Sequence, residues 1–199
     1  MLQQHPEGGS LYTHRGERKY LTPLERAHFI EVAEEWPRPE VASLCLTLAY
    51  TGCRLSEALG LRGSGVDSHS HFLALRSLKR RNKAVVIREV PVPNELIQRL
   101  ASDHDLNERD RRIWEICRSQ AWRLVKQVMC EADIAPGPHR SPRGLRHGFG
   151  LHAVRSGVPL NLVQRWLGHA SMTTTAIYLQ AMGDEEREIA SRMWTTSGH

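Results

Sequence analysis

The hydrophobic period of this chain changes once and then changes back, and that single interruption narrows the folds open to it. Apolar side chains recur at helical spacing up to Leu61 and again from Asn94 onward. Between them, His71-Phe-Leu-Ala-Leu-Arg76 and Lys83-Ala-Val-Val-Ile-Arg-Glu-Val-Pro-Val92 are β-branched and alternating, separated by a basic turn from Lys79 to Lys83. One hairpin set into a run of helices predicts a mainly α protein with a small antiparallel β-sheet, an α+β fold.

The helical stretches can be delimited from their ends. Thr22-Pro-Leu-Glu25 supplies a capping hydroxyl, a proline at the first helical position and a glutamate three residues past the cap, so a helix should run to about Trp36. The apolar run Val41 to Tyr50 predicts a buried helix stopped by Thr51-Gly52, followed by one or two turns from Arg54 to Leu61. Later helices are expected over Glu95 to Ser102, Ser119 to Ala132 with Trp122, Val125 and Met129 on one stripe, Arg143 to Ser156, Asn161 to Leu167, Thr173 to Met182 and Asp184 to Trp194. Residues 1–20 are polar and aperiodic and read as a flexible arm, which leaves 21–199 as a single domain.

The net charge of +5 says less than its distribution. Ser68 to Arg88 contains no Asp or Glu, and Ile134 to Gly183 contains none either. Carboxylates near a polyanion would cancel the cations that displace its counterions, so this segregation points to nucleic acid. No window is apolar for long enough to cross a membrane, and the opening residues lack the apolar run of a signal peptide, which predicts a cytoplasmic protein. Cys45, Cys53, Cys117 and Cys130 form no close pair and are expected as reduced thiols in or near the core. His69 and His71 should share one face of a strand without a carboxylate beside them, so no metal site is expected.

Four features then call for one explanation. Arg54 follows a Thr-Gly-Cys turn, Lys79 tips the hairpin, Arg146-His147 lies in the acid-free block, and His169 precedes Tyr178 by nine residues. In order and spacing, Thr51-Gly-Cys-Arg-Leu-Ser-Glu-Ala-Leu-Gly-Leu61, Val90-Pro-Val-Pro93, Gly144-Leu-Arg-His-Gly-Phe149, Val163-Gln-Arg-Trp-Leu-Gly-His-Ala170 and Thr174-Thr-Ala-Ile-Tyr178 resemble the catalytic domain of the tyrosine recombinases, the phage-integrase family, over about residues 20 to 190. The resemblance implies cleavage and rejoining of double-stranded DNA without a cofactor or a small-molecule substrate. Tyr178 is then the nucleophile, Arg54 and Arg146 clamp the phosphate, Lys79 is the general acid with Lys83 as its alternative, and His169 hydrogen-bonds the phosphate. Glu57 orients the site and His147 is structural. Arg76, Arg80, Arg81, Lys83 and Arg140 are expected on the DNA.

One position departs from the family pattern. Where the family usually has histidine three residues before the second arginine, this chain has Arg143, which cannot act as a base but can still bind phosphate and is expected among the catalytic residues. Proton removal then falls to His169, to water or to a phenol acidified by nearby cations, with His139 or Arg140 compensating. The substitution also keeps open a catalytically weak relative that binds DNA and competes with an active recombinase. A type IB topoisomerase would use the same chemistry. The family's usual amino-terminal clamp domain does not fit in the roughly twenty residues before the first helix, so the chain is expected to be a catalytic-domain-only form or a truncated product. The helix from Asp184 to Trp194 is expected either to pack on a neighbouring protomer on DNA, as a dimer or tetramer, or to fold onto its own core.

Overall fold

A computed structural model describes residues 10–78 and 85–179. Helix α1 (Pro23–Glu34) begins at a complete capping box, with the Thr22 hydroxyl accepting from the Glu25 amide and the Glu25 carboxylate accepting from the Thr22 amide. It lays Phe29 and Ala33 against α2 (Pro39–Thr51), which is buried on nearly every face and forms the axis of the larger core. The larger of these side chains, Phe29 and the valine and leucines of α2, contribute about 1.5–3 kcal/mol each when fully removed from water. A helix so enclosed holds the chain leaving its C-terminus in a fixed position. That chain forms α3 (Leu55–Ala58), a single turn.

The interruption in period is a three-stranded antiparallel sheet in the order β1-β2-β3, made of Val66–Asp67, Phe72–Leu78 and Val85–Pro91. The two-residue β1 was not foreseen. Leu73 pairs with Val90 and Leu75 with Arg88, and the core-facing side of the ribbon carries Leu73, Leu75, Arg88 and Val90. His69 and His71 lie in the turn between β1 and β2, with His71 at φ 55°, so they do not share a strand face as expected. The Asp67 carboxylate accepts the His69 and Ser70 amides.

Four further helices, α4 (Asn94–Asp103), α5 (Arg118–Glu131), α6 (Pro142–Arg155) and α7 (Leu160–Leu167), precede the short α8 (Met172–Ala176). The core stripe of α5 is Ala121, Val125, Val128 and Met129; Trp122 is turned outward, contrary to expectation. Helix α8 stops at Ala176 rather than near Met182, so Tyr178 comes after it in a turn. The expected helix over 184–194 lies outside the described residues.

Two expectations are corrected by burial. Within the arm read as flexible, residues 10–20 are folded: Leu11 is buried in a second core cluster with Phe149, Val163, Leu167, Ile177 and Tyr178, and Arg18 pairs through both nitrogens with Glu25. A lone leucine with no periodic partner gave no sign of this. Of the cysteines, Cys45 and Cys53 are buried, but Cys117 and Cys130 are exposed. Among the described residues no helix is long and apolar enough to cross a membrane, and no three His, Cys, Asp or Glu side chains converge as metal ligands.

Candidate functional site

Helix termini build the site. Helix α2 ends because Gly52 takes the left-handed conformation, φ 60°, and the space is closed to a side chain: a Cβ there would lie 2.5 Å from the Phe149 ring and 2.9 Å from Leu167. That tight stop delivers Arg54 to the start of α3. The Glu57 carboxylate reaches back to the Arg54 amide at 2.8 Å and takes the Arg54 guanidinium at 2.7 Å. From the other side Glu57 receives Arg88 at 2.6 Å. The Glu57 and Arg88 side chains are both buried, and the neighbouring arginines hold Glu57 below the usual carboxylate range against a burial that pushes it up.

Arg88 also donates to the Trp166 carbonyl at 2.7 Å, so one buried guanidinium ties β3 to both α3 and the end of α7. Its Nη1 has no hydrogen-bond partner among the described residues. Reading the sequence missed this residue as part of the site. The signal was available: a charge at an inward-facing position of a strand, in line with Val90.

Helix α6 starts at a Ser141 cap with Pro142 at its first position, and its first turn carries Arg143 and no acid. One turn on, Arg146 donates to the carbonyls of Gly52 (2.9 Å) and Leu167 (2.7 Å), which joins the ends of α2 and α7. Burial and then Arg54 lower its pKa to about 10, so it stays charged at neutral pH. After α7 stops at Gly168, the His169 Nδ1 is hydrogen-bonded to the buried Thr175 hydroxyl at 2.9 Å. Its ring stacks on that of Tyr178, with centroids 6.3 Å apart and planes at 14°.

Tyr178 is fully buried, and Gly150 on α6 leaves the space its ring occupies. Its hydroxyl lies 3.2 Å from His147 Nδ1. Burial pushes the phenol up to about 12 despite Arg146 and Arg143, and burial together with the surrounding arginines pushes His147 and His169 down to about 3. At neutral pH both imidazoles are uncharged and the phenol is protonated.

Two clefts, of about 1010 Å³ and about 400 Å³, meet at Arg54, Ser56 and His169. The larger runs between the sheet and α7 and is lined by Arg76, Arg88 and Arg165; the smaller is lined by Arg118, Trp122, Arg143, Arg146 and His147. Glu57 is the only carboxylate among the described lining residues, and it is already spent on two arginines. The structure thus brings together Arg54, Glu57, Arg143, Arg146, His147, His169 and Tyr178, with Arg76 at the rim. Lys79, Arg80, Arg81 and Lys83 lie outside the described residues.

Other expected roles are not matched by the geometry. Arg140 lines neither cleft and donates to the Ile134 carbonyl, and His139 is turned to Arg18 and Glu25, so neither can compensate near Tyr178. The histidine read as structural, His147, is the one whose nitrogen meets the tyrosine hydroxyl, whereas His169 presents its ring face. Arg118 and Trp122 in the smaller cleft were also missed; the core stripe assigned to α5 had placed Trp122 inside.

The family model for the "Phage integrase family" matches residues 19–184. The tyrosine recombinase XerD of Mycobacterium tuberculosis is 35% identical over 159 residues, which cover 72% of this chain and 49% of the relative. The chain thus spans about half the length of that curated relative. Among solved structures, the crystal structure of XerA recombinase superposes with a TM-score of 0.68 at 29% identity, covering 87% of this chain and 64% of that one. The XerH site-specific recombinase bound to its difH substrate gives 0.70 at 20% identity, covering 90% and 59%, a likeness of fold. With the arginines, the paired histidines and the tyrosine of the motifs gathered at one cleft, and with a family match running from the arm to beyond Tyr178, the chain belongs to the phage integrase family.

Proposed function

We propose that this chain breaks and rejoins duplex DNA at defined sites by transesterification through Tyr178. The tyrosine oxygen attacks a phosphodiester phosphorus, a 3′-phosphotyrosyl bond forms, and the 5′-oxygen leaves as a hydroxyl. The bond energy is retained, so attack by a 5′-hydroxyl reverses the step without a nucleotide or a metal. Negative charge gathering on the nonbridging oxygens is answered by Arg54, Arg143 and Arg146 through charge-assisted hydrogen bonds, with His169 adding another. Lys79, or Lys83 in its place, protonates the leaving oxygen.

One observation carries this reading: the Tyr178 hydroxyl meets His147, and its ring lies parallel to that of His169, under a cleft lined by Arg54, Arg143 and Arg146, with no free carboxylate among the described lining residues. The start of α6 agrees with it. Cations in the first turn of a helix oppose its dipole, and a bound anion would reverse that cost. Because Tyr178 is fully buried, attack requires the turn after α8 to shift so that its hydroxyl, still against His147, opens to the smaller cleft that His147 lines. Arg76, Arg80, Arg81 and Lys83 would hold the flanking duplex, and the Tn1549 transposon integrase, whose fold is alike and which was solved in complex with circular intermediate DNA, supports DNA as the partner. Two or more protomers would assemble on that DNA, with residues 184–194 as the exchanged segment.

The test is covalent capture on nicked duplexes of randomised sequence, in which the short fragment bearing the freed 5′-hydroxyl diffuses away and the adduct cannot reverse. The wild-type chain is expected to form a denaturation-resistant adduct and Tyr178→Phe none. An adduct surviving in Tyr178→Phe contradicts the assignment. DNA retention without any wild-type adduct would favour the weak DNA-binding relative that Arg143 keeps open.

A further inference from the structure

We propose that His147 takes the proton of Tyr178 during strand cleavage and returns it during religation, in place of the histidine that Arg143 displaces. The inference rests on Tyr178 being the nucleophile. Among the described residues only His147 Nδ1 is within hydrogen-bond distance of the Tyr178 hydroxyl, at 3.2 Å. Arg143 and Arg146 carry donors and no acceptor. The lone pairs of an imidazole lie in its ring plane, and His169 offers Tyr178 its ring face while its Nδ1 is engaged with Thr175. His147 is left as the group able to accept.

The step balances. As the tyrosine oxygen bonds to phosphorus and the bond from phosphorus to the 5′-oxygen breaks, the phenolic proton moves to the Nδ1 lone pair and an imidazolium forms. The leaving oxygen takes its proton from the hairpin lysine. On religation the attacking 5′-hydroxyl gives its proton to that lysine's amine, and the departing tyrosine oxygen recovers its own from His147.

The surroundings explain why the transfer would wait for substrate. The charged and titratable groups around the ring are Arg143 and Arg146 on its own helix, Lys19 from the arm ahead of α1, His169 after α7 and Tyr178 after α8. The cations oppose a further positive charge. No carboxylate offsets them from the far side of the ring, because Nε2 is buried without a hydrogen-bond partner among the described residues. A phosphodiester seated between Arg143 and Arg146 supplies the missing negative charge, so the imidazole becomes an effective base only when the scissile phosphate is in place.

The experiment measures the rate of adduct formation in single turnover, on nicked duplexes resynthesised from those the wild-type chain captures. His147→Gln is expected to slow the adduct by roughly 10²- to 10⁴-fold, the usual contribution of a positioned general base, while DNA retention and the melting temperature hold. Replacing Tyr178 by a more acidic fluorinated tyrosine should recover most of that loss, because such a phenol needs less help to ionise. A purely structural histidine predicts no recovery. Adduct formation by His147→Gln at the wild-type rate, or an equal loss with the fluorinated tyrosine, overturns the proposal.

Should His147→Gln fail to fold, nitrogen NMR on imidazole-labelled chain decides. An unprotonated Nδ1 whose resonance shifts in Tyr178→Phe supports the proposal, and a proton on Nδ1 before cleavage contradicts it. Failure of the Tyr178 reading shows separately, as an adduct that persists in Tyr178→Phe.

Discussion

On one side of the cleft, α6 and the turn after α8 keep Arg146 at 7% exposure and Tyr178 at 0%, and each is held by named partners from other elements. On the other side, Arg54 leaves 48% of its side chain in solvent, and Arg76 stands exposed on the hairpin. The difference separates two jobs. Under the proposed reaction Tyr178 and Arg146 lie where water cannot screen them, whereas Arg54 and Arg76 stay in solvent, where the scissile phosphate and the flanking duplex can reach them. Glu57 and Arg88 join the two sides. Through them the sheet that leads to Lys79 is bolted to the turn that carries Arg54 and to the end of α7 beside His169.

The largest effect should come from the buried side. Arg146→Ala strips the Gly52 and Leu167 carbonyls of their donor and, under the proposed reaction, removes a phosphate ligand, so adduct formation should fall by at least about 10²–10³-fold and the unfolding midpoint should drop with it. An Arg146→Ala chain of wild-type stability would show that the two carbonyl bonds do not hold the site together. Next, Glu57→Ala leaves Arg88 buried without its counter-charge and should cost about 3–5 kcal/mol in urea unfolding; a cost near that of a surface ion pair would break the link between the two sides.

The pH dependence tests the same burial. In the unfolded chain His147 and His169 gain protons as pH falls through about 6.5, but in the fold they resist until about 3. Between those values the unfolded state binds more protons, so the stability present above about pH 6.5 is lost progressively as pH falls toward 3. Glu57, lowered from 4.5, adds a further loss below that value. Equilibrium unfolding across this range should show the decline, and a flat profile from pH 7 to 5 would mean that the imidazoles are not sheltered.

The smallest effect belongs to the open side. Arg76→Ala should weaken DNA retention and reduce the salt slope by about one, with adduct formation at saturating DNA unchanged. A change in the saturated rate would draw Arg76 into the chemistry.

The sequence revealed these two sides unequally. The α1 capping box, the buried run of α2 and the alternation at 72–76 are local signals, and the elements they predict stand where expected. The motifs, each local in itself, grouped the arginines, His169 and Tyr178 through their shared resemblance to one family. Pairings across the fold were not visible. His147 and Tyr178 are 31 positions apart and meet only because α6 and the turn after α8 pack together. Arg88 could be read as one more cation of the hairpin until the register placed it inward beside Glu57. Trp122 looked like core because an aromatic at helical spacing usually is, yet Ala121 and Val128 filled that stripe instead.

In the proposed reaction the DNA strand becomes bonded to Tyr178. The chain has four tyrosines, so the adduct can be assigned by digesting captured complexes and sequencing the nucleotide-bearing peptide by mass spectrometry. A single modified peptide, carrying the nucleotide on Tyr178, is expected. A nucleotide on Tyr12, Tyr20 or Tyr50, or on any other side chain, would contradict it.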